Sequence, residues 1–449
     1  MKFRIHTMGC KVNQAESASM AARLEAAGFL PCGDGEPGLV VLNTCCVTGA
    51  AEKEAYRILR RLRREHPGAR VVAAGCLAHL APDRLAAGGL SDLVLGNSWK
   101  GELPDLLDLP DGTALVGGGP EGGSPGAARA GGGKGPGAPA SPAPAVPRGR
   151  TRLFLKIQDG CSRTCAYCVI PSVRGPSRSL PPEAVLAGLR AAMEQGVGET
   201  VLTGVHLGSW GSDLRPRSSL PALLDAVESE LAPDPGRFRL RLSSLDPGEA
   251  LPLLPAFHRM PFLAPHLHLP LQAGSERVLK AMGRPAGLRG FREAAEAFAG
   301  ALPGASVGAD LIAGFPGETP EDFAEGCAAV DTLPLSYLHV FPFSGRPGTP
   351  AAVMPGQIPL RERARRVSEL RRIDRALREA FLARSLGREH LALAEVGVHR
   401  GSGRMRVLTG NYLRALLPGG AGPAPGSLLR VRLGPARNPW GLTEAEPCP

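Results

Sequence analysis

Aromatic residues are scarce in this chain. Phe, Trp and Tyr make up 4% of its 449 residues, with three Trp and four Tyr, so a surface built on extensive aromatic stacking is excluded. No run of about 18 apolar residues occurs, which excludes an ordinary transmembrane helix and makes a membrane partner unexpected. Met1–Cys10 carries no apolar signal core, so the expected location is cytoplasmic. The composition excludes a coiled coil and a collagen as well. Lysine is missing from the last fifth: from Arg361 onward there are 17 Arg, no Lys and 8 acidic residues, a net of +9 out of +10 for the whole chain. A basic end of this kind points to a polyanion, nucleic acid first. The alternative is an Arg-rich solvated helix with no partner.

Glycine (59) and proline (44) are abundant, together nearly a quarter of the chain, about twice their usual share. Hydrophobic residues at 43% still allow a sizeable core, and at ~100–200 residues per domain two to four domains are expected. Much of the Gly/Pro excess lies in Gly117–Arg150, where Val146 is the one aliphatic residue larger than Ala. Such a segment buries too little apolar area to offset its ordering entropy and reads as a flexible linker at 117–150. It separates a unit at 1–116 from a larger remainder.

The first unit alternates strands (Lys2–Thr7, Leu39–Leu42, Val71–Ala74, Asp92–Leu95) with helices (Ser17–Ala27, Ala50–Glu65), which predicts an α/β parallel sheet with helices on its faces. Residues 151–385 repeat the alternation on a larger scale. Expected strands are Leu153–Ile157, Thr200–Thr203, Arg237–Leu242, His266–Pro270, Ser306–Ile312 and Tyr337–Phe343. About six such units predict a partial or complete (β/α) barrel. Leu360–Ser385 reads as one long Arg-rich helix. In 386–449, short strands at Leu391–Glu395, Arg404–Thr409, Leu413–Leu417 and Leu429–Leu433, punctuated by Gly and Pro, suit a small β-barrel.

Ten cysteines without an export signal are expected to be reduced. Cys161, Cys165 and Cys168 form C-x3-C-x2-C in Asp159-Gly-Cys-Ser-Arg-Thr-Cys-Ala-Tyr-Cys-Val-Ile-Pro. Three thiolates on one tight loop can hold three corners of a cubane iron–sulfur cluster and leave the fourth iron open. Structural zinc usually takes four protein ligands, and no fourth lies nearby in sequence. The loop follows a strand, at the end of the sheet where α/β folds place their chemistry. Cys10, Cys45 and Cys76 each follow a strand of the first unit, so a parallel sheet would gather them into a second triad. Ordinary buried cysteines are the alternative there, and Cys46 competes with Cys45. Cys32, Cys327 and Cys448 stand alone and read as packing or exposed residues.

The C-x3-C-x2-C spacing resembles the signature of the radical S-adenosylmethionine (SAM) enzymes, and with the second triad the chain resembles their methylthiotransferase family over nearly its whole length. Gly9-Cys-Lys-Val-Asn-Gln14 and Thr409-Gly-Asn-Tyr-Leu are similar to the branch that modifies threonylcarbamoyladenosine in tRNA. The isopentenyladenosine branch usually has Gly-Cys-Gln-Met-Asn at the first of these, and the ribosomal-protein branch Gly-Cys-Pro-Lys-Asn. Further matches are Thr203-Gly-Val-His-Leu-Gly, Arg241-Leu-Ser-Ser-Leu-Asp-Pro, His266-Leu-His-Leu-Pro-Leu-Gln-Ala-Gly-Ser, Asp310-Leu-Ile-Ala-Gly-Phe-Pro-Gly-Glu-Thr and His339-Val-Phe-Pro-Phe-Ser-Gly-Arg-Pro-Gly-Thr. The chain departs from the family in having Ala273 where Ser is frequent, Ala286 where an aromatic is expected, and a longer linker.

The resemblance implies an N-terminal methylthiotransferase domain, a radical SAM domain and a C-terminal TRAM domain, a small RNA-binding β-barrel. It implies two [4Fe-4S] clusters, one on Cys161, Cys165 and Cys168 and one on Cys10, Cys45 and Cys76, with SAM on the open iron of the first. Cleavage of SAM by the reduced first cluster would start substitution at C2 of the adenine, with sulfur from the second cluster and a methyl group from a second SAM. A radical route suits a C2–H bond that no ordinary base would activate. The partners implied are tRNA and a reductant such as flavodoxin or ferredoxin. Tyr167, Arg174, Ser243, Gln272, Ser275 and Asp310 are candidate SAM or substrate contacts; Arg404, Arg406, Asn411 and Tyr412 are candidate RNA contacts. For Arg174, Ser243, Gln272, Ser275 and Asp310 an ordinary structural role is the alternative, and His206, His266 and His268 read as satisfied core histidines. Two other functions compete: the same chemistry on a ribosomal protein side chain, and a non-catalytic iron–sulfur RNA-binding protein.

Overall fold

The computed structural model describes residues 1–117, 150–420, 422–437 and 443–448. The expected linker at 117–150 therefore lies almost wholly outside the described residues. The N-terminal sheet is parallel throughout, in the order Leu30–Pro31, Lys2–Thr7, Leu39–Thr44, Arg70–Gly75, Leu93–Leu95, Thr113–Leu115. Its central strands are buried on both faces, as their continuous apolar sequences LVVL and VVAA require. The helix after the first strand begins at Lys11, not Ser17, so it starts directly after Cys10. The Lys11–Gln14 stretch offers no apolar repeat and its N-cap makes no side-chain bond, which is why the pattern hid its first turn.

The middle region forms two parallel three-stranded sheets. One pairs Arg239–Leu242, Glu199–Thr203 and Leu153–Lys156; the other pairs His266–Gln272, Ser306–Ala313 and Tyr337–Pro342. A parallel bridge from Leu240 to Leu263 and the Leu245 N–H to His268 C=O bond join the halves. Helices alternate with these strands, and one large core fills the space between them. This is the open form of the expected (β/α) barrel, with Leu153–Lys156 and Tyr337–Pro342 as its free edges. The Leu360–Ser385 helix, with the ends expected, packs along the second edge strand.

The C-terminal barrel closes in the order Glu389–Val398, Met405–Thr409, Arg414–Leu416, Thr443–Pro447, Leu428–Arg437. Within this barrel the strand Thr443–Pro447 was not expected from the sequence: TEAEP has no β-branched run, and its alternation is carried by Thr443 and Ala445 alone.

A buried charge cluster seats this barrel on the middle region. Glu199, fully buried, binds Arg239 at 2.6 Å and Arg241 at 2.9 Å. The two guanidinium groups donate onward to the Leu391, Leu408 and Gly410 carbonyls of the C-terminal barrel. Burial pushes Arg239 down to about 10 despite its carboxylate partner. Removing one member of such a cluster leaves unpaired buried charge, which costs about 3–5 kcal/mol. Glu199→Ala is therefore expected to lower stability by about that amount in denaturant unfolding, with the C-terminal barrel the first part to gain protease sensitivity.

Candidate active site

Cys10, Cys45 and Cys76 stand at the carboxyl ends of three adjacent parallel strands. Close approach at Gly9 makes this possible: its φ is +84°, and a Cβ there would lie 2.8 Å from Cys45 Cβ and 2.9 Å from its Sγ. Cys10 is exposed, whereas Cys45 and Cys76 are buried. Burial pushes the Cys45 thiol up to about 11, and the charges of Cys76 and Cys10 act in the same direction. Cys76 falls to about 5, chiefly through a hydrogen bond from Cys46, with burial opposing and Arg174 and Lys100 helping. Cys46 thus faces Cys76 from within the apolar core, while Cys45 shares the field of Cys10 and Cys76.

The Cys161, Cys165 and Cys168 triad occupies one loop after Leu153–Lys156. Gly160, with φ +69°, shapes it: a Cβ there would sit 1.9 Å from the Pro176 carbonyl oxygen. The Cys168 N–H bonds to the Cys165 carbonyl, and the Ala166 N–H to that of Met282. Burial raises Cys168 to about 11, with Cys165 and Cys161 adding to the effect. The Cys161 sulfur lies 3.9 Å from His206 Nδ1, and His206 Nε2 lies 2.7 Å from Glu249. Burial alone would lower His206, but Cys161 and Glu249 outweigh it and raise it to about 9. Arg163 pairs with Asp246 at 2.7 Å, as does Arg284 beside Tyr167. Sequence reading treated His206 as a satisfied histidine and passed over Glu249, Arg163 and Arg284.

The two triads are held against one another. Val169 and Val173, immediately after Cys168, belong to the same apolar core as Cys46, Cys76 and Leu59. Asn97 Nδ2 donates to the Val173 carbonyl at 2.8 Å and lies 3.7 Å from Cys76 Sγ. Arg174, with its side chain 1% exposed, donates to Glu16 and Asp159 at 2.8 Å and to Asn13 at 2.7 Å. Lys100 and Lys156 complete the cluster, 2.5 and 2.8 Å from Glu16. Burial alone would raise Glu16, but Arg174, Lys100 and Lys156 hold it well below the usual carboxylate range. Arg174, a candidate SAM contact by sequence, has its guanidinium taken up here by protein groups.

Further along the half-barrel, the Ser243 hydroxyl is buried without a hydrogen-bond partner among the described residues. Gln272 has φ +77° at an irregularity that ends its strand, a conformation a non-glycine residue holds only where its surroundings impose it. Ser275 is buried and donates to Asp322 at 2.8 Å. Asp310 accepts from His268 at 2.9 Å and His339 at 3.2 Å; burial opposes its ionisation, but the two histidines hold it ionised. Tyr337 OH lies between His266 and His268, at 2.9 and 3.0 Å. Among the described residues this His268–Asp310–His339 set has its donor atoms all within 4.8 Å of one another. The two cysteine triads are more open. Sulfurs around one tetrahedral zinc sit about 3.8 Å apart, so the triads suit a polynuclear cluster, where each thiolate takes a different metal.

The candidate RNA contacts are placed as follows. Asn411 is buried and bonds to Thr409 and the Gly304 carbonyl. Tyr412 stacks on His266 at 4.5 Å, under Arg241. Arg404 binds the Leu416 and Leu417 carbonyls and Glu444. Arg406 lies 3.7 Å from Glu395.

A three-cysteine loop at the carboxyl end of an open parallel (β/α) barrel, packed against a second cysteine triad, is the arrangement of an iron–sulfur enzyme of the radical SAM type. The Radical SAM superfamily matches residues 155–327, and the uncharacterized protein family UPF0004 matches residues 2–96. Threonylcarbamoyladenosine tRNA methylthiotransferase MtaB of Thermotoga maritima is 36% identical over 400 residues, covering 89% of this chain and 87% of that protein. The Bacillus subtilis protein of the same name is 32% identical, covering 81% of this chain and 78% of its own. The tRNA-2-methylthio-N(6)-dimethylallyladenosine synthase of Cereibacter sphaeroides is 34% identical, covering 96% of this chain and 95% of its own. Among solved structures, the radical SAM methyltransferase TsrM of Kitasatospora setae shares the fold, with TM-score 0.52 and 17% identity over 78% of this chain and 74% of that one. The chain belongs to the radical SAM methylthiotransferase family. Membership implies SAM and a [4Fe-4S] cluster, and among the described residues no helix is long and apolar enough to cross a membrane.

Glu16 is the acid on which the inter-domain cluster converges, so Glu16→Gln is expected to cost about 3 kcal/mol in unfolding of the metal-free chain. The sign of its pH dependence follows from the lowered folded value. The stabilisation is fully present above the unfolded carboxylate value of about 4.3 and is lost as pH falls below it. Acid titration of stability should accordingly be shallower below about pH 4 in the Gln variant than in the native chain; parallel curves would show that Glu16 carries no such linkage.

Proposed function

We propose that this enzyme inserts a methylthio group at C2 of N6-threonylcarbamoyladenosine beside the anticodon of tRNA. The observation that supports the reading is the packing of the two cysteine triads against one another through Val169, Val173 and Arg174, as a sulfur-holding site beside a SAM-cleaving one would require. Similarity to the threonylcarbamoyladenosine enzymes and the Gly9–Gln14 motif support the choice of substrate. In this reading Cys161, Cys165 and Cys168 hold the SAM-binding cluster, and Cys10, Cys45 and Cys76 hold a second [4Fe-4S] cluster. When bound, these groups supply the radical and sulfur chemistry that no side chain can.

The chain's own residues do the rest. Arg284 lies beside Cys165 and Tyr167, where its cation faces the loop. The unpartnered Ser243 hydroxyl and the forced Gln272 present polar groups for SAM, and Asp310, kept ionised by two histidines, presents a carboxylate. Ser275 supports the loop through Asp322. Arg404 and Arg406 lie on the barrel that would meet RNA, while Asn411 and Tyr412 hold that barrel to the core. The division at 1–116, 151–385 and 386–449, a cytoplasmic location and a flavodoxin- or ferredoxin-like reductant belong to the same proposal.

Nucleosides from tRNA of a strain lacking this enzyme should contain threonylcarbamoyladenosine without its 2-methylthio form, by mass spectrometry. Persistence of the methylthio form in the absence of a second such enzyme overturns the reading, and its loss from a ribosomal protein instead decides for the protein substrate. Replacing Cys10, Cys45 and Cys76 with Ala should halve an iron content of about eight per chain; an unchanged count removes the second cluster.

A further inference from the structure

The Leu360–Ser385 helix carries nine arginines, and the structure sorts them. Arg363 donates to the Phe343 carbonyl, Arg365 pairs with Glu362 and Glu369, Arg366 with Glu318 and Glu362, and Arg378 with Asp374. Arg371 and Arg375 are exposed, lie one helical turn apart on one face, and have no acidic partner among the described residues. Both line an open cavity of about 420 Å³ between this helix and the edge strand Tyr337–Pro342, within the ~300–1,000 Å³ of small-ligand sites. The strand supplies His339 and Phe341, the latter 43% exposed, a rare aromatic left facing solvent.

The one acid in the lining, Asp374, is neutralised. It accepts from Arg378 at 2.8 and 2.9 Å and from the Leu338 N–H at 2.7 Å. The cavity therefore presents two free guanidinium groups and an aromatic face, with no free negative charge. Its His339 is the residue that bonds to Asp310 at 3.2 Å, so the cavity adjoins the candidate active site along one strand.

We propose that this cavity holds a nucleotide flanking the modified adenosine in the single-stranded anticodon loop, with its base on Phe341 and its backbone phosphates on Arg371 and Arg375. Base stacking on an aromatic side chain and guanidinium contacts to phosphate are the two devices by which unpaired RNA is held, and both are present with nothing else to satisfy them. The proposal rests on the tRNA reading above.

The test is fluorescence anisotropy of a labelled anticodon stem-loop RNA with the full-length, cluster-loaded protein, titrated at several salt concentrations. The variants are Arg371→Gln/Arg375→Gln and Phe341→Leu, with melting temperature and iron content as folding controls. Loss of two phosphate contacts should flatten the log–log salt slope by about 1.4 and weaken binding at least tenfold at low salt. Phe341→Leu should weaken binding about fivefold or more and leave the slope unchanged. If the native protein binds the RNA and the arginine variant matches it in affinity and slope, the proposal fails while the tRNA reading stands. Weaker binding of the arginine variant with an unchanged slope also overturns it, because the lost charges then met no phosphate. A native protein that does not bind the RNA at all overturns the tRNA reading itself.

Discussion

The arrangement of this protein depends on one buried ionic cluster, in which Glu16 and Asp159 meet Arg174, Lys156 and Lys100. Its members come from both sides of the central insert: Glu16 and Lys100 from the N-terminal sheet domain, the others from the half-barrel. Three cations against two carboxylates leave an excess positive charge, and Arg174 and Lys100 direct it at Cys76. A set of thiolates gathers negative charge, so the excess lies where the N-terminal triad needs it. Buried ion clusters are weak sources of net stability. Here the cluster has a geometric consequence: Arg174 sits six residues after Cys168, and Glu16 six residues after Cys10, so pairing them fixes one cysteine loop relative to the other.

The same device recurs at the opposite end of the half-barrel, where Glu199 pairs with both Arg239 and Arg241 and their remaining donors take carbonyls of the C-terminal barrel. The arginines of the last fifth of the chain divide into two groups. Arg363, Arg366 and Arg378 hold the long helix to the core. Arg371 and Arg375, on one face of the long helix, have no acidic partner among the described residues and are the pair proposed to meet phosphate. Net charge alone could not separate the two, because the separation is made by which acids and carbonyls the fold brings within reach.

What could be read from the sequence was whatever local pattern determines. The six strands of the half-barrel, the long Arg-rich helix with both its ends, and the position of each triad cysteine after a strand all follow from periodicity and spacing. What could not be read depends on partners far away in the chain. Arg174 looked like a ligand contact because it flanks the cysteine loop, but Glu16 lies 158 residues before it. Asn411 and Tyr412 looked like RNA contacts because they sit at a turn of an RNA-binding type of barrel, yet His266 and the Gly304 carbonyl face them in the fold. The His268–Asp310–His339 set was hidden for the same reason: its members stand on three different strands. Arg163, Glu249 and Arg284 belong to no spacing pattern at all.

The sequence also posed a problem that the structure answers. Two triads separated by a long Gly/Pro-rich insert would have to dock for each turnover if the insert governed their distance. It does not, because Val169 and Val173 lie in the N-terminal core and Arg174 is sealed against Glu16. Chain continuity across the insert then matters little energetically. The entropy of closing a loop grows only as about (3/2)RT ln n, so doubling its length costs about 0.6 kcal/mol, against about 3–5 kcal/mol for breaking one member of a buried ion cluster. Arg150, where the described chain resumes, donates to Gln14 at 2.5 Å, in the helix that starts directly after Cys10. Both edges of the insert thus return to the N-terminal domain. Its length is free to differ from that of relatives because the placement of one cysteine triad against the other is set elsewhere, by Glu16 and Arg174.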